Sequence, residues 1–382
     1  MALRTIDVDQ HLFESRTTWS DYIEAAQRAD ALAITDDEAG WPWLSWRGQR
    51  LTPLEVPVPE QSGRIGEERL RRLRGERAPA SFEELVPDSY RLAGARLSSL
   101  DRFGLDAAVL FPNYGLLWER RLASDPAAQR ANARAYNRFV ADVCSDGADR
   151  LFGVAHVLLH DPSWAIEEIR QVRARGIRLA MVAPAPVDGR PLSHEDFDPV
   201  WAAFSDEGVA PVFHVSEFES PLHPAWRTGE REDGEQLFDS IFLYLAPAVA
   251  LANLILNGVL ERHPRLRIGV IELTASWVPH FLLHIDGASD FYTLRHGEPF
   301  RKLEDRPSAY FLRQVRVAAL PYEMPNRLVP KVGEETYMIG SDWPHAEGVA
   351  DPMAAAERAV SGLDDRARAN LLGANAAWLL GL

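Results

Sequence analysis

Short apolar runs recur along the chain with longer amphipathic stretches between them, a pattern that predicts repeated strand–helix units. Glycine precedes several of these runs, as at Gly104, Gly176 and Gly208, where a helix would end. The predicted strands are 5–9, 107–111, 152–157, 177–182, 209–214, 268–272, 315–319 and 337–341. Eight such units predict an α/β fold, a parallel (β/α)8 TIM barrel. An open doubly wound sheet is the alternative, but it would not bring the first and eighth strand ends together.

Two insertions interrupt this repeat. Residues 15–100 separate the first two predicted strands, and the tryptophan-rich stretch 41–48 alternates like a small β-hairpin around Arg47 and the glycine after it. We interpret 15–100 as a cap over the barrel mouth, inserted into a single domain that spans 1–382. The second insertion, 217–240, is polar and is expected to shape the pocket.

Composition and charge narrow the class of protein. With 382 residues and 46% hydrophobic content, the chain can bury the core of one large domain. The net charge of -15 argues against nucleic acid as a partner and favours a small molecule. A single cysteine, Cys144, and an amino terminus without a secretory signal predict a cytoplasmic protein. The apolar stretch 241–260 contains Pro247 and two asparagines, so we interpret it as a buried barrel helix and expect no membrane partner.

Side chains that can bind a metal stand at the carboxyl ends of three predicted strands. Asp9 and His11 lie at the end of the first strand, His214 ends the fifth, and Asp342 follows the eighth. In a parallel barrel these ends meet at one face, which is where residues so remote in sequence can converge. The sequence therefore predicts a metal-binding pocket at the barrel mouth.

Six sequence motifs carry a resemblance to a known family. They are Asp9-x-His11, Leu110-Phe-Pro112, Ala135-Tyr-Asn137, Phe213-His214, Glu272 with Trp277-Val-Pro279, and Ser341-Asp-Trp-Pro-His345. Together they resemble the amidohydrolase-related family (amidohydrolase family 2) of the amidohydrolase superfamily, and within it the aminocarboxymuconate-semialdehyde decarboxylase branch. The resemblance extends from Ile6 to about Pro352.

The resemblance implies a distorted barrel that binds one divalent metal ion and carries out nonoxidative decarboxylation, hydrolysis or hydration. The implied ligands are Asp9, His11, His214 and Asp342. Two imidazoles and two carboxylates suit zinc or manganese and leave room for water or substrate. The resemblance also implies a homodimer.

Two residues depart from the pattern of the decarboxylases. Asp9 stands where many relatives carry histidine, and two carboxylate ligands should acidify a bound water less than histidines do, which favours a metal that grips a chelating substrate. Glu272 stands where the decarboxylases carry a catalytic histidine. Glu272 could act as a general acid or base, or it could be structural and pair with an arginine or cap a backbone amide.

Further candidates follow from position along the chain. Asp342, Glu272 and His345 are the candidate catalytic residues, because each could move a proton beside the metal. Aromatic residues in loops after predicted strands could line an apolar substrate pocket, although ordinary packing is an equal explanation. These are Tyr114, Trp118, Trp277 and Trp343. Arg178 and Arg316 lie within predicted strands and could recognise a substrate carboxylate.

Three functions remain open. The first, which we favour, is a metal-dependent decarboxylase (a lyase) acting on a small aromatic or enol-type carboxylic acid. The second is a metal-dependent hydrolase of an amide, lactone or ester that uses metal-bound water. The third is an inactive barrel that serves as a binding protein, for which chelation would not change stability.

Overall fold

A parallel sheet dominates the computed structural model, which describes residues 5–58, 63–226, 232–320 and 322–382. The strands are β1 (Ile6–Leu12), β2 (Leu32–Asp36), β3 (Pro42–Trp46), β4 (Gln49–Pro53), β5 (Ala107–Pro112), β6 (Leu151–His156), β7 (Leu179–Met181), β8 (Ala210–Phe213), β9 (Ile268–Val270), β10 (Val315–Ala319) and β11 (Tyr337–Ile339). The eight strands β1 and β5 to β11 form one sheet in chain order, and each pairs in parallel with the next. All eight predicted strands are confirmed.

Helices follow the barrel strands and cover the outside of the sheet. Within the described residues the α-helices are α1 (Thr18–Tyr22), α2 (Arg64–Leu73), α3 (Phe82–Leu85), α4 (Ala93–Phe103), α5 (Pro126–Ser145), α6 (Pro162–Ala174), α7 (Asp198–Glu207), α8 (Glu232–Ile241), α9 (Leu245–Leu256), α10 (Val259–Arg262), α11 (Val278–His296), α12 (Pro307–Gln314), α13 (Val329–Val332), α14 (Pro352–Ala359), α15 (Asp365–Ala369) and α16 (Asn375–Leu380). The predicted helix within 241–260 is α9, whose buried side packs into the main core. No helix of the described residues is both long enough and apolar enough to cross a membrane.

The first and last strands close the sheet into a barrel. The backbone N–H of His11 donates to the carbonyl of Trp343 at 2.9 Å, just past the end of β11. Nearer the amino end of β1, the Ser341 hydroxyl donates to Asp7 Oδ2 at 2.6 Å, and the Ser341 N–H donates to Asp7 Oδ1 at 2.9 Å. The open-sheet alternative is therefore wrong, and the ends of β1 and β11 are neighbours.

β1 runs three residues further than the sequence predicted. Its pairing with β5 shifts register between Asp7 and Gln10, which marks a bulge. A bulge re-aims the side chains that follow it, and here those side chains include His11. The strand thus continues to Leu12, with every residue buried.

The insertion after β1 forms a small antiparallel sheet, in which β3 and β4 make the predicted hairpin and β2 adds a third strand. Arg47 and Gly48 both have positive φ, as a two-residue hairpin turn requires. The apolar side of the insertion shares a hydrophobic cluster with Tyr114 and Trp343, which lie just past the carboxyl ends of β5 and β11. The insertion therefore packs at the end of the barrel where the carboxyl ends of β5 and β11 lie.

Candidate metal centre

Two histidines present the same ring nitrogen to the centre of the barrel mouth. His11 Nδ1 lies 3.0 Å from the carbonyl of Pro112, and His214 Nδ1 lies 2.8 Å from the carbonyl of Val215. A carbonyl only accepts, so each Nδ1 carries the proton and each Nε2 keeps its lone pair. This carbonyl bond to the second nitrogen is the usual support of a metal-binding histidine. Both rings are fully buried, and their centroids are 5.4 Å apart.

Asp9 and Asp342 bring carboxylates to these lone pairs. Asp9 Oδ1 lies 3.4 Å from His214 Nε2 and 3.7 Å from His11 Nε2, and Asp342 Oδ1 lies 3.1 Å from His11 Nε2. Burial raises the pKa of Asp9 to about 6, although His214 opposes that shift. Burial also acts to raise the pKa of Asp342, but His345 and His11 outweigh it and hold that pKa below its usual range. Both Asp342 oxygens are buried, and Oδ1 lies 2.8 Å from His345 Nδ1.

Glu272 adds a third carboxyl group to this cluster of site residues, just past the end of the sixth barrel strand, β9. Its Oε2 lies 3.1 Å from His214 Nε2, and its pKa is well above the usual range because of burial and the nearby Asp342 and Asp9 carboxylates. The structural roles considered for Glu272, an arginine pair or a capped amide, are not what the described residues provide. Glu272 and Asp342 both have positive φ, at 58° and 54°, a conformation that non-glycine residues adopt at a cost of about 1–3 kcal/mol and that clusters at functional sites.

His345 stacks on His11 and links Asp342 to the loop after β5. The two rings have centroids 3.7 Å apart, and His345 Nδ1 lies 2.8 Å from Asp342 Oδ1. The other ring nitrogen, Nε2, donates to Asn113 Oδ1 at 2.8 Å. Burial acts to lower the pKa of His345, but Asp342 reverses this and raises it to about 9. Sequence reasoning missed Asn113, although it directly follows a barrel strand in the same way as the other site residues.

The donor set fits a divalent cation. Ligand atoms of Asp9, His11, His214 and Glu272 all lie within 4.8 Å of one another, and Asp342 joins this group through His11. Several of these atoms are buried without a hydrogen-bond partner among the described residues, notably His11 Nε2, Glu272 Oε2 and Asp342 Oδ2. Buried polar atoms are normally satisfied, so orphaned acceptors that converge on one point indicate a missing positive charge.

The aromatic residues predicted for the substrate pocket lie in hydrophobic clusters instead. Tyr114 and Trp118 are almost fully buried beneath the insertion, and Trp343 packs edge-on against Tyr90 in the same cluster. Trp277 packs against aromatic rings in the main core. These four side chains help to fix the loops that carry the site, and packing explains them.

The two strand arginines lie at the other end of the barrel. Arg178 immediately precedes β7 and donates to the carbonyls of Leu380 and Gly381 at 3.2 Å. Arg316, the second residue of β10, lies 3.9 Å above the ring of Trp378 on α16. The structure does not bring either arginine to the candidate site, because the amino end of a barrel strand points away from the mouth. The signal was present in the sequence, since each arginine falls at the beginning of its run.

A cavity of 560 Å³ lies among the loops that follow four of the barrel strands, and no candidate ligand is among its lining residues. The loops after β5 to β8 line this cavity, and the second insertion contributes Glu217 and Phe218 to it. Glu119 in its wall lies 2.9 Å from Nε2 of His156, the last residue of β6. The cavity gives a small molecule room at the carboxyl ends of the strands.

The fold and site define a barrel enzyme, and the comparisons with known proteins agree. The chain belongs to the amidohydrolase family, whose model matches residues 6–382. It is 26% identical over 288 residues to the gamma-resorcylate decarboxylase of Rhodococcus jostii, covering 69% of this chain and 80% of that protein.

Solved structures share the architecture. An amidohydrolase from Mycobacterium avium subsp. paratuberculosis matches with a TM-score of 0.79 and 25% identity over 100% of both chains. A dihydroxybenzoic acid decarboxylase from Polaromonas, crystallised with bound manganese and an inhibitor, matches with a TM-score of 0.64 and 16% identity over 100% of this chain and 98% of that one. At that identity the second likeness concerns the fold alone.

Proposed function

We propose that this protein is a metal-dependent decarboxylase of a small aromatic or enol-type carboxylic acid. The observation that carries the proposal is the convergence of the His11 and His214 Nε2 lone pairs with buried carboxylates at the barrel mouth. The similarity to a gamma-resorcylate decarboxylase supports a hydroxybenzoic acid as the substrate class.

The proposed metal ion, zinc or manganese, would be held by Asp9, His11, His214 and Asp342. When bound, it would supply a Lewis acid for a substrate carboxylate and a neighbouring hydroxyl oxygen. The mixed nitrogen and oxygen donor set suits either metal. His11 and His214 are held in the required tautomer by their carbonyl partners, so the chain keeps these two nitrogens ready for the ion.

Decarboxylation needs a proton from the protein. The bond between the ring carbon and the carboxylate breaks, carbon dioxide leaves, and the carbon takes up one proton. We assign this proton to Glu272, because burial and the nearby carboxylates raise its pKa well above the usual range and its Oε2 lies 3.1 Å from Nε2 of the ligand His214. His345, protonated because its pKa is about 9, holds Asp342 in place at 2.8 Å.

The test is release of carbon dioxide from manganese-loaded protein given 2,6-dihydroxybenzoate, other ortho-hydroxybenzoates and muconate-like acids. Glu272→Gln is expected to keep the metal and lose turnover by at least about 100-fold, within the range for general acid catalysis. His11→Ala is expected to lose both, whereas His296→Gln, at an exposed position on α11, should behave as wild type. If metal-loaded wild type releases no carbon dioxide from any of these acids, the proposal fails.

A second candidate is hydrolysis of an amide, lactone or ester, and the charge of the site favours it. Asp9, Glu272 and Asp342 are acidic, and the arginines once expected to bind a substrate carboxylate lie at the far end of the barrel. A neutral substrate meets less repulsion in such a pocket than an acid does. Acid release from lactones and esters, followed at constant pH, distinguishes this reaction from decarboxylation, which releases carbon dioxide.

We further propose that the protein is a cytoplasmic homodimer. Among the described residues, α11 exposes Leu283, Phe291 and Leu294, and Phe300, shortly after the helix, is exposed too. Exposed apolar side chains that cluster in this way are typical of protein interfaces. Light scattering of the protein as it leaves a size-exclusion column is expected to give twice the mass of one chain. Leu294→Glu should shift the measured mass toward that of the monomer.

A further inference from the structure

The cavity of 560 Å³ among the loops after β5 to β8 is separate from the candidate metal ligands, none of which lines it. Its volume lies within the range of small-molecule sites, about 300–1,000 Å³. Part of its wall is apolar and includes Val157, Leu159, Ala185, Val187 and Phe218. A wall of this kind suits the ring of a small aromatic compound.

The polar part of the wall is acidic. It contains five carboxyl groups and two guanidinium groups, which belong to Glu119, Asp161, Asp188, Glu217 and Glu219 and to Arg120 and Arg130. Three of these carboxylates already pair with an arginine, at 2.6 Å for Glu217, 3.4 Å for Asp188 and 3.6 Å for Asp161. A ligand carboxylate would be repelled here, and the paired carboxylates offer a ligand cation less attraction than free ones would. The charges therefore favour a neutral ligand.

One carboxylate oxygen in this wall lacks a partner. Glu217 Oε1 accepts from Arg121 Nε at 2.6 Å, but Oε2 is buried and makes no hydrogen bond with a described residue. Burial raises the pKa of Glu217 although Arg121 opposes the shift, and the charge of Glu119 adds to the rise. Buried acceptors are normally satisfied, so Glu217 Oε2 indicates a ligand that donates a hydrogen bond.

Glu119 provides a second acceptor in the same wall, and His156 holds it in place. His156 Nε2 lies 2.9 Å from Glu119 Oε2, and His156 is only 2% exposed. A carboxylate only accepts, so the imidazole donates from Nε2 and orients the carboxyl group. This bond leaves Glu119 Oε1 for a ligand.

The motif Ala135-Tyr-Asn137 makes His156 a rigid support. The ladder between β5 and β6 ends before His156, and the Asn137 amide takes the place of a strand: Oδ1 accepts from the His156 N–H at 2.6 Å, and Nδ2 donates to the His156 carbonyl at 3.0 Å. Glu168, which is 1% exposed, accepts from Asn137 Nδ2 at 2.9 Å and from Arg134 Nε at 2.8 Å. A buried polar network whose members are satisfied rigidifies the backbone that it contacts.

We propose that this cavity binds a neutral phenol, with the ring against the apolar wall and hydroxyl groups that donate to Glu119 and Glu217. The site deepens the proposed function, because loss of carbon dioxide from a hydroxybenzoic acid leaves a neutral phenol. The cavity would hold this product away from the metal ion and repel the substrate carboxylate. The role as a product site rests on the proposed function, whereas the binding of a phenol can be tested without turnover.

The experiment titrates resorcinol into the full-length protein after chelation and follows binding by ligand-observed nuclear magnetic resonance. Resorcinol is the phenol that 2,6-dihydroxybenzoate leaves on losing carbon dioxide. We expect resorcinol to bind without any metal ion. Benzoate, which has the carboxylate but no hydroxyl, and benzylamine, which has a cation, should each bind at least about tenfold more weakly.

Two variants place the compound in the cavity. Glu217→Leu removes the unpartnered acceptor, while Arg121 keeps the carbonyls of Leu51 and Leu117 at 2.7 and 3.1 Å. It should weaken resorcinol binding by about tenfold or more, as expected for a lost hydrogen bond to a charged group. Val187→Trp fills the cavity without changing a polar group and should weaken binding as well. The control is Glu67→Leu at an exposed position on α2, which should bind resorcinol as wild type does.

The outcomes separate this site from the metal centre. Resorcinol that binds wild type only after Mn²⁺ is added would place the compound at the metal centre and overturn the proposal. Unchanged affinity in both Glu217→Leu and Val187→Trp would also overturn it, and tighter binding of benzoate or benzylamine would refute the assignment to a phenol. Carbon dioxide release is measured separately on manganese-loaded protein, so a failure of the proposed function leaves the resorcinol result standing.

Discussion

Gly340, the residue before Ser341 on the strand that leads to Asp342, allows a direct test of the metal centre without removing any ligand. A Cβ built on Gly340 would lie 2.8 Å from Asp9 Cβ and 3.5 Å from Asp9 Oδ2. Ordinary contact between such atoms begins near 3.4 Å. Gly340→Ala must therefore push Asp9 and β1 away by about 0.6–1 Å, and overpacking of this kind costs roughly 1–3 kcal/mol.

The displacement matters more for the metal than for the fold. Metal–ligand distances tolerate only about 0.2 Å of error. Disturbing the support of a ligand typically lowers affinity about 10–100-fold. We therefore expect Gly340→Ala to bind Mn²⁺ at least about tenfold more weakly, with a lower urea midpoint for the metal-free protein. Free Mn²⁺ can be counted directly from its six-line paramagnetic resonance signal during a titration.

The matched control is Gly287→Ala on α11. No atom lies within 4 Å of a Cβ at Gly287, and alanine in a helix interior should stabilise the protein by roughly 0.5–1 kcal/mol. Its Mn²⁺ affinity should equal that of wild type. If Gly340→Ala also binds Mn²⁺ with wild-type affinity, Asp9 is not a ligand and the proposed centre must be redrawn.

Three further predictions address metal, stability and pH. Chelation should lower the melting temperature and Mn²⁺ should restore it, because an ion at 100 times its dissociation constant stabilises the native state by about 2.7 kcal/mol. An unchanged melting temperature would support the non-catalytic barrel instead. Arg96→Met should lower the free energy of unfolding, measured in urea, by roughly 3–5 kcal/mol, because the buried guanidinium donates to the His11 carbonyl and lies 4.6 Å above the Trp343 ring. The control is Arg102→Ala, on the exposed side of α4, which should change the free energy of unfolding by less than about 0.5 kcal/mol. Burial raises the pKa of Glu14 to about 7, so its contribution to stability is present below about pH 4.5 and is lost as the pH rises through 7. Glu14→Gln should remove this loss. Parallel curves of unfolding free energy for the two proteins between pH 5 and 8 would contradict the assignment.

The strands and the ligand candidates were readable from the sequence for one physical reason. Buried parallel strands are short apolar runs, and the metal-binding and catalytic residues of such a barrel follow the carboxyl ends of these runs. His214 and Asp342 both follow this rule, and so does Asn113, which the sequence reasoning passed over. Glu272 could be placed at a strand end, but its raised pKa could not be predicted, because burial and two neighbouring carboxylates cause it.

The aromatic and arginine candidates show where sequence reasoning stops. Trp343 follows a ligand directly, yet its ring packs under the insertion, and no periodicity reveals this because loop residues have no fixed facing direction. Arg178 and Arg316 fall at the beginning of their apolar runs, and this position, rather than the alternation along a strand with two apolar faces, was the signal that they lie far from the mouth.

The sequence by itself determined the barrel, the order of its strands and most of the residues that end them, because these depend on local runs of hydrophobic and polar positions. Only the tertiary structure decided which side chains share one pocket. It brought Glu272 to His214 and Asn113 to His345, closed β1 against β11 through Asp7, and packed the Trp343 ring under the insertion. Those distances depend on barrel closure and loop packing, which join residues far apart in the chain and leave no pattern along it.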